Sequence, residues 1–117
     1  MDTDFELWLS LGYVLLMLGL TYVFKLFPPK GINHLYGYRT PRSMRNDQTW
    51  KFANDYSMGI MRKIAIYCLL LPALGYVLWP NANFLVTVIV HSFALLSIIW
   101  LTERQLKKHF DDNGNPR

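Results

Sequence analysis

The chain has 117 residues, of which 52% are hydrophobic and 15% aromatic, and its formal net charge is +4. This length allows one domain, and the apolar content exceeds what a soluble domain of this size can bury. A soluble three-helix bundle is disfavoured, because helices that are apolar all round need burial on every side, which three helices cannot give each other.

Three uncharged apolar runs account for most of this composition. They cover residues 7–24, 64–79 and 84–101, which is 18, 16 and 18 residues. About 20 helical residues at 1.5 Å each span the hydrocarbon of a bilayer. The middle run is short, but the side chains of Arg62 and Lys63 can reach toward the headgroups. The runs predict an all-α, polytopic membrane protein with three transmembrane helices in a single membrane domain over residues 1–117.

The basic residues indicate how such a protein is oriented. All 12 Lys and Arg residues lie within residues 25–63 or 104–117, two regions on the same side of a three-pass topology. Positively charged loops stay in the cytoplasm. We therefore expect the N-terminus outside the cell and the C-terminus in the cytoplasm. The net charge is a topological signal and does not support a nucleic-acid partner.

The first membrane helix is predicted at about residues 7–26, because Pro28 and Pro29 prevent its continuation. Residues 28–46 then form an ordered cytoplasmic loop rich in turn-forming residues. Within the loop, Thr40-Pro41 suits one short helical turn, and Asn46 suits a helix N-cap.

From Asp47, apolar residues recur at three- and four-residue intervals, which predicts an amphipathic lead-in helix. We expect it to continue into the second membrane helix as one long helix over about residues 47–79, with a kink at Pro72. A short turn at residues 80–83 leads to the third membrane helix, at about 84–103, which extends into a cytoplasmic tail over 104–117. Residues 111–116 are expected to fray.

The polar loop and the lead-in helix carry a motif in which glycine, arginine, proline, tryptophan and asparagine fall in a set order. Its residues are Asn33, Gly37, Tyr38, Arg39, Thr40, Pro41, Arg42, Ser43, Met44, Asn46, Trp50 and Asn54. With this motif between two membrane helices, roughly residues 7–101 resemble the SdpI-type family of bacterial membrane proteins, as a short three-helix member.

The resemblance implies a multi-pass protein of the bacterial cytoplasmic (inner) membrane. The family's namesake gives immunity against a secreted toxic peptide and holds a transcriptional repressor at the membrane. This chain departs from the namesake, which has further membrane helices beside the motif-bearing half.

The predicted ligand- or partner-binding site comprises the motif residues other than Ser43, Met44 and Asn46. Arg39, Arg42 and Arg45 have a three-residue spacing that would place them on one helix face. Guanidinium groups suit carboxylates and phosphates, including anionic lipid headgroups. Alternatively, the arginines are only a topology signal on a solvated loop. Arg39 is the first choice for a buried structural or binding role, and Arg45 is the arginine best explained by topology.

Trp50 and Asn54 lie one turn apart on the lead-in helix. In one interpretation, Asn54 hydrogen-bonds the loop around Arg39 and Trp50 shields it. In the other, Trp50 is an interfacial anchor and Asn54 an incidental neighbour. Only the first interpretation predicts that Trp50 points inward.

His91 and Thr87 are polar residues inside the third apolar run. Ionisable residues within a membrane often mark functional sites, so His91 either senses protons or binds a ligand, or is a neutral histidine bonded to a tyrosine or carbonyl of a neighbouring helix. No metal site is expected, because His34 and His109 belong to the cytoplasmic side. Gly12 and Gly19 allow another helix to approach closely, within the chain or in a homodimer.

The sequence carries no hydrolase, metalloprotease or phosphate-loop motif. We expect no catalytic residue, no cofactor and a non-enzymatic protein. By resemblance its role is toxin immunity or envelope-stress defence, with membrane lipid, a peptide toxin or a cytoplasmic protein as partner.

The alternative is a lipid- or peptide-handling membrane transporter or enzyme with a pocket between the motif loop and the helix bundle. An enzyme site there would have to use Arg39, His34 and Asp47. The two hypotheses differ in whether the motif converges on a membrane-facing cavity or on a closed, hydrogen-bonded unit.

Overall fold

The structure, a computed structural model, describes residues 2–33 and 35–117; His34 lies outside the described residues. It consists of α1 (Thr3–Leu26), α2 (Asp47–Cys68), α3 (Leu70–Leu78) and α4 (Asn83–His109), with one 3-10 turn at Pro80–Ala82. Three helical spans, 3–26, 47–78 and 80–109, are long and apolar enough to cross a membrane. The predicted all-α, three-helix membrane architecture is therefore confirmed.

α1 is capped at its start by Asp2, whose side chain accepts the N–H of Asp4 at 3.1 Å. Asp4 and Glu6 lie in its first turn, where negative charge interacts favourably with the helix dipole. The helix ends at Leu26, immediately before Phe27 and the two prolines that cannot continue it.

α2 begins at Asp47 and is capped by Asn46, as the sequence predicts. The Asn46 side chain accepts the N–H of Thr49 at 2.9 Å, and the Thr49 hydroxyl accepts the N–H of Asn46 at 3.1 Å. This reciprocal pair is a capping box. It sets the start of the helix that carries Trp50 and Asn54.

The second span covers residues 47–78 and is divided near the expected kink at Pro72 into α2 and α3. α2 ends at Cys68 and α3 starts at Leu70, with Leu69 in a turn between them. Pro72 has no N–H to donate to the carbonyl of Cys68 four residues earlier. The proline therefore interrupts the helix one turn before its own position.

The C-terminal residues are folded, so the expectation that residues 111–116 fray is wrong. Phe110 and Pro116 form an isolated antiparallel bridge. The N–H of Asp111 donates to the carbonyl of Asn115 at 2.8 Å, and the N–H of Arg117 donates to the carbonyl of His109 at 2.9 Å. The tail thus turns back on the end of α4, a contact that local composition does not show.

The three spans expose large apolar side chains and bury small or polar ones between the helices. The buried polar residues of the spans are Glu6, Ser10, Thr21, Thr49, Asn54, Ser57, Asn83, Thr87, His91 and Thr102. Lipid tails are as apolar as leucine, so polar contacts and close packing associate such helices better than apolar contacts do. The outward apolar surface is the expected surface for a bilayer.

Two glycines of α1 do not pack against this chain. No atom outside their immediate surroundings lies within 4 Å of a Cβ added at Gly12 or Gly19. The close approach occurs at Gly75 of α3, where a Cβ would collide with the side chain of Asn83. Packing of Gly12 and Gly19 against a second protomer stays a prediction.

Candidate functional site

The centre of the motif is one helical turn closed by side chains. The N–H of Met44 donates to the carbonyl of Thr40 at 3.0 Å. The Thr40 hydroxyl accepts the N–H of Ser43 at 3.1 Å, and the hydroxyl of Ser43, which is fully buried, accepts the N–H of Thr40 at 2.9 Å. The turn predicted at Thr40-Pro41 therefore forms.

Asn54 attaches this turn to α2. Its Oδ1 accepts the N–H of Tyr38 at 2.7 Å, and its Nδ2 donates to the carbonyl of Trp50 at 3.0 Å. The Asn54 side chain is almost completely buried, so both polar atoms rely on these partners. The backbone of Tyr38 is thus held in place by a side chain of α2.

Trp50 attaches the start of the loop to the same helix. Its side chain is 1% exposed, and its indole N–H donates to the carbonyl of Pro29 at 3.0 Å. A tryptophan that anchors the protein in the interface would be exposed, so the inward orientation supports the first of the two interpretations. Pro29, Tyr38, Ser43, Trp50 and Asn54 are referred to below as the motif core.

Gly37 enables this closure. Its φ is +107°, and a Cβ at this position would lie 2.7 Å from Oδ1 of Asn54 and 2.9 Å from Cγ of Pro29. Any other residue would be strained in its backbone and would collide with two members of the motif core.

Asn33 and Pro41 lie outside the motif core. The Oδ1 of Asn33 accepts the N–H groups of Leu35 and Tyr36 at 2.8 and 2.9 Å, which shapes the loop locally. Pro41 is exposed and lines a surface cleft with Arg42. The motif therefore contains residues that close the fold and residues that remain on its surface.

The three arginines of the loop do not share one set of partners. Arg39 is exposed, so the expectation that it is buried is wrong, whereas its binding role stays a prediction. Arg42 lies with its Nε 3.7 Å from a carboxylate oxygen of Glu103 and its Nη1 3.5 Å from Asp112. Arg45 donates through Nη1 to the carbonyl of Asp111 at 3.4 Å. Arg42 and Arg45 thus face the end of α4 and the tail.

The tail also contacts the cap of α2. The Nδ2 of Asn46 donates to the carbonyl of Gly114 at 2.8 Å. Gly114 has a φ of +83°, and a Cβ there would lie 2.6 Å from Nδ2 of Asn46. The loop, the start of α2 and the C-terminus are therefore one connected polar assembly.

An apolar cavity adjoins the motif core at Tyr38, and a cationic cleft lies where the loop meets the end of α4. The apolar cavity has a volume of about 290 Å³, and the cationic cleft has a volume of about 310 Å³. The apolar cavity is lined by Phe24, Gly37, Tyr38, Ser57, Met58, Met61, Leu95, Ile98 and Ile99. The cationic cleft is lined by Pro41, Arg42, Arg45, Glu103 and Lys107.

Tyr38 lines the apolar cavity and lies near Glu103, a residue of the cationic cleft. Its hydroxyl donates to the carbonyl of Ile99 at 3.2 Å. Burial, and then the nearby negative charge of Glu103, raise the pKa of Tyr38 far above its ordinary value of 10.0. The phenol therefore stays protonated and acts as a hydrogen-bond donor at physiological pH.

The intramembrane residues His91 and Thr87 form a second, separate cluster. The Tyr13 hydroxyl lies 2.8 Å from Nδ1 of His91, which is 1% exposed. Thr87 donates to Oδ1 of Asn83 at 3.4 Å. This geometry matches the interpretation of a histidine bonded to a tyrosine of a neighbouring helix. Within residues 2–33 and 35–117, no group of three His, Cys, Asp or Glu residues is placed to hold a metal ion.

Comparison with known protein families matches residues 30–101 to the SdpI/YfhL protein family. The chain belongs to this family. A similar member of the SdpI/YfhL family is the uncharacterized protein YfhL of Bacillus subtilis (strain 168), which is 39% identical over 93 residues, covering 80% of this chain and 81% of YfhL. No solved structure matches this SdpI/YfhL family member.

Several residues that contact the predicted site residues were not predicted from the sequence. Asn83 could have been grouped with Thr87 and His91, because the three residues are four positions apart and therefore lie on one polar helix face. Two other contacts, that of Trp50 with the carbonyl of Pro29 and that of Asn46 with the carbonyl of Gly114, could not be predicted. Every residue has a backbone carbonyl, so the residue type does not indicate which carbonyl accepts the hydrogen bond. Glu103 could have been noted as the first charge after the third apolar run.

Proposed function

We propose that this SdpI/YfhL family member protects a bacterial cell against a peptide toxin or envelope stress, by presenting its motif to a partner or an anionic ligand. The role requires binding and no bond-making chemistry, so we propose a non-enzymatic protein. The motif would face the cytoplasm from the bacterial cytoplasmic membrane, with the N-terminus outside.

The observation that supports this proposal best is the burial of Trp50 and Asn54 against the loop. Both side chains are almost fully buried and bond the backbone of Pro29 and Tyr38. Arg39, next to Tyr38, is consequently held at the surface on a fixed backbone. A surface ordered before binding avoids the conformational entropy cost of ordering it in the complex.

The apolar cavity supports a second candidate function, a lipid- or peptide-handling transporter or enzyme. Its volume of about 290 Å³ and its wall of methionine, leucine and isoleucine side chains suit an apolar chain. The cavity lies beside the motif core, so the two candidates involve overlapping surfaces and must be separated by experiment.

Survival of a toxin-sensitive host is the test. Cells that produce the wild type should survive several-fold higher concentrations of at least one peptide from a panel of purified membrane-permeabilising bacterial peptides. Arg39→Ala should reduce this protection by removing the presented cation, and Trp50→Ala should reduce it by opening the motif core.

Matched controls exist for both variants. Lys108→Ala removes an exposed cation near the end of α4, and Trp8→Ala removes an exposed tryptophan of α1. Both should protect as the wild type does at equal membrane abundance. Equal protection by all variants would remove the motif from the mechanism, and absence of protection by the wild type would favour the second candidate.

A further inference from the structure

The apolar cavity and the cationic cleft lie against the same stretch of α4. Ile99 lines the cavity, whereas Glu103 and Lys107 line the cleft. At 1.5 Å per helical residue, these three positions follow each other at intervals of about 6 Å along the axis. Tyr38 joins the hollows, since it lines the cavity, bonds the carbonyl of Ile99 and lies near the charge of Glu103.

The cavity is on the membrane side of this stretch. Ile98 and Ile99 belong to the third apolar run, and Met58 and Met61 approach from α2. Methionine and isoleucine side chains offer apolar contact to a flexible hydrocarbon chain. The hollow is therefore placed where an acyl chain could enter from the bilayer.

The cleft has the opposite character. It combines three basic side chains with one acidic side chain, Glu103. Arg42 already holds an anion, the carboxylate of Asp112, at 3.5 Å, but the Asp112 side chain is 86% exposed. Exposed ion pairs contribute little stability, so a phosphate could replace this carboxylate on the guanidinium group.

Glu103 adds a requirement for a hydrogen-bond donor. The Tyr38 hydroxyl interacts with the Glu103 carboxylate. The Oε2 atom of that carboxylate is buried with no donor within hydrogen-bond distance in the described part of the chain, since Nε of Arg42 lies 3.7 Å away. Buried acceptors are normally paired. A ligand with a hydroxyl group beside its phosphate would satisfy this oxygen.

We propose that the two hollows form one site for a single anionic glycerophospholipid with a hydroxyl-bearing headgroup, such as phosphatidylglycerol. One acyl chain occupies the apolar cavity, the phosphate contacts Arg42, Arg45 and Lys107, and a headgroup hydroxyl donates to Glu103. The site lies at the surface assigned to partner binding under the proposed function, and the lipid gives that surface a specific anionic ligand.

The test measures lipids retained by the purified full-length protein. The chain is taken from nanodiscs of phosphatidylglycerol and phosphatidylcholine with identical acyl chains, and native mass spectrometry counts the lipids that stay bound. The wild type should retain one phosphatidylglycerol in preference to phosphatidylcholine. Equal retention of the two lipids would overturn the proposal.

The headgroup half is tested with two neighbouring lysines. Lys107→Gln should lower phosphatidylglycerol retention by about fivefold, the usual contribution of one basic residue near an anionic lipid. Lys108→Gln removes the same charge from an exposed residue outside the cleft and should have no effect. Equal losses in both variants would show unspecific attraction and overturn the site. Asp112→Asn should raise retention, and a decrease would contradict the replacement of its carboxylate by phosphate.

The acyl-chain half is tested by filling the cavity. Met61→Trp should lower retention, because the larger side chain occupies the space of the acyl chain. Val77→Trp places the same group on the exposed, lipid-facing surface and should leave retention unchanged. Unchanged retention in Met61→Trp, or complete displacement of the lipid by millimolar inorganic phosphate, would confine binding to the cleft and overturn the proposal.

This assay contains no toxin, so its failure and the failure of the proposed function are separate results. A negative lipid result overturns the lipid site and leaves protection to the survival assay. Conversely, a protein that retains phosphatidylglycerol but protects no cell would support the lipid site and contradict the immunity role.

Discussion

Gly37 shows how one residue of the motif determines the geometry of several others. Its φ of +107° turns the chain so that the N–H of Tyr38 points at Asn54. The same position brings the backbone close to Pro29, whose carbonyl accepts the indole N–H of Trp50. The glycine, the asparagine and the tryptophan of the motif are therefore required together, which explains their joint spacing.

Replacing Gly37 by alanine should destabilise the protein. A non-glycine residue in a strained backbone region costs on the order of 1–3 kcal/mol, and the new Cβ would also collide with Oδ1 of Asn54. We expect a lower midpoint of thermal unfolding in detergent and faster proteolysis of the loop.

The matched control is Gly31→Ala in the same loop. No atom lies within 4 Å of a Cβ at Gly31, and its φ is not positive. Alanine there should leave the unfolding midpoint nearly unchanged. Identical behaviour of the two variants would contradict a special conformational role for Gly37.

At the scale of the element, the C-terminal tail is the segment whose structure departs most from its local sequence. Residues 111–116 are polar and contain a glycine and a proline, a composition typical of a frayed end. They are ordered because the Asp111 carboxylate accepts the N–H groups of Asn113 and Asn115, both at 2.9 Å. Asn46 and Arg45 of the loop then bind the folded tail.

The folded conformation of the tail should be lost at acidic pH. The backbone N–H of Asn115 lowers the pKa of Asp111 below its ordinary value of 3.8, with a further contribution from the positive charge of Arg117. A carboxyl group whose pKa is lower in the folded state stabilises that state fully above its unfolded pKa. This stabilisation is lost as the pH falls below 3.8 and through the lowered pKa.

The backbone N–H of Gly114 donates to the carbonyl of Asp111. Its NMR resonance therefore reports this loss of folded structure. It should be constant above about pH 5 and should move toward its random-coil position in stronger acid. Asp111→Asn should abolish the change, whereas Asp112→Asn, at an exposed neighbour, should keep it. A titration that is insensitive to Asp111→Asn would contradict this account.

For the whole molecule, the two ends of the helix bundle are built differently. At one end, Asp4 accepts the Tyr76 hydroxyl at 2.9 Å, and Glu6 accepts the N–H of Phe84 at 3.1 Å. At the other end, the basic loop and the tail form the polar assembly around the motif core. The acidic end and the basic end lie on opposite sides of the three spans, which is the arrangement expected from the positive-inside rule.

Cysteine labelling tests the orientation. In a Cys68→Ser background, Asn81→Cys should react with a membrane-impermeant maleimide in intact cells, because the turn between α3 and α4 is expected outside. Lys108→Cys should react only after the cells are permeabilised. Both positions are exposed, so accessibility within the fold does not limit labelling. The reverse pattern would overturn the predicted topology.

Features with a local physical cause could be predicted from the sequence. The spans follow from the length of the apolar runs, the end of α1 from two prolines, and the start of α2 from the Asn46 cap. Each depends on residues within one or two turns. The break near Pro72 was expected as a kink, and it lies at Leu69 because the proline cannot donate to the carbonyl of Cys68.

The sequence by itself therefore determined the three spans, the Asn46 cap of α2 and the motif turn. The tertiary structure alone decided which polar groups meet: Tyr13 with His91, 78 residues apart, and Asn46 with Gly114, 68 residues apart. It also decided that Trp50 is buried while Arg39 is exposed, and that a cavity opens beside Tyr38. The reason is physical: propensity and hydrophobicity act along the chain, whereas the partner of a buried polar group is chosen by packing between distant segments.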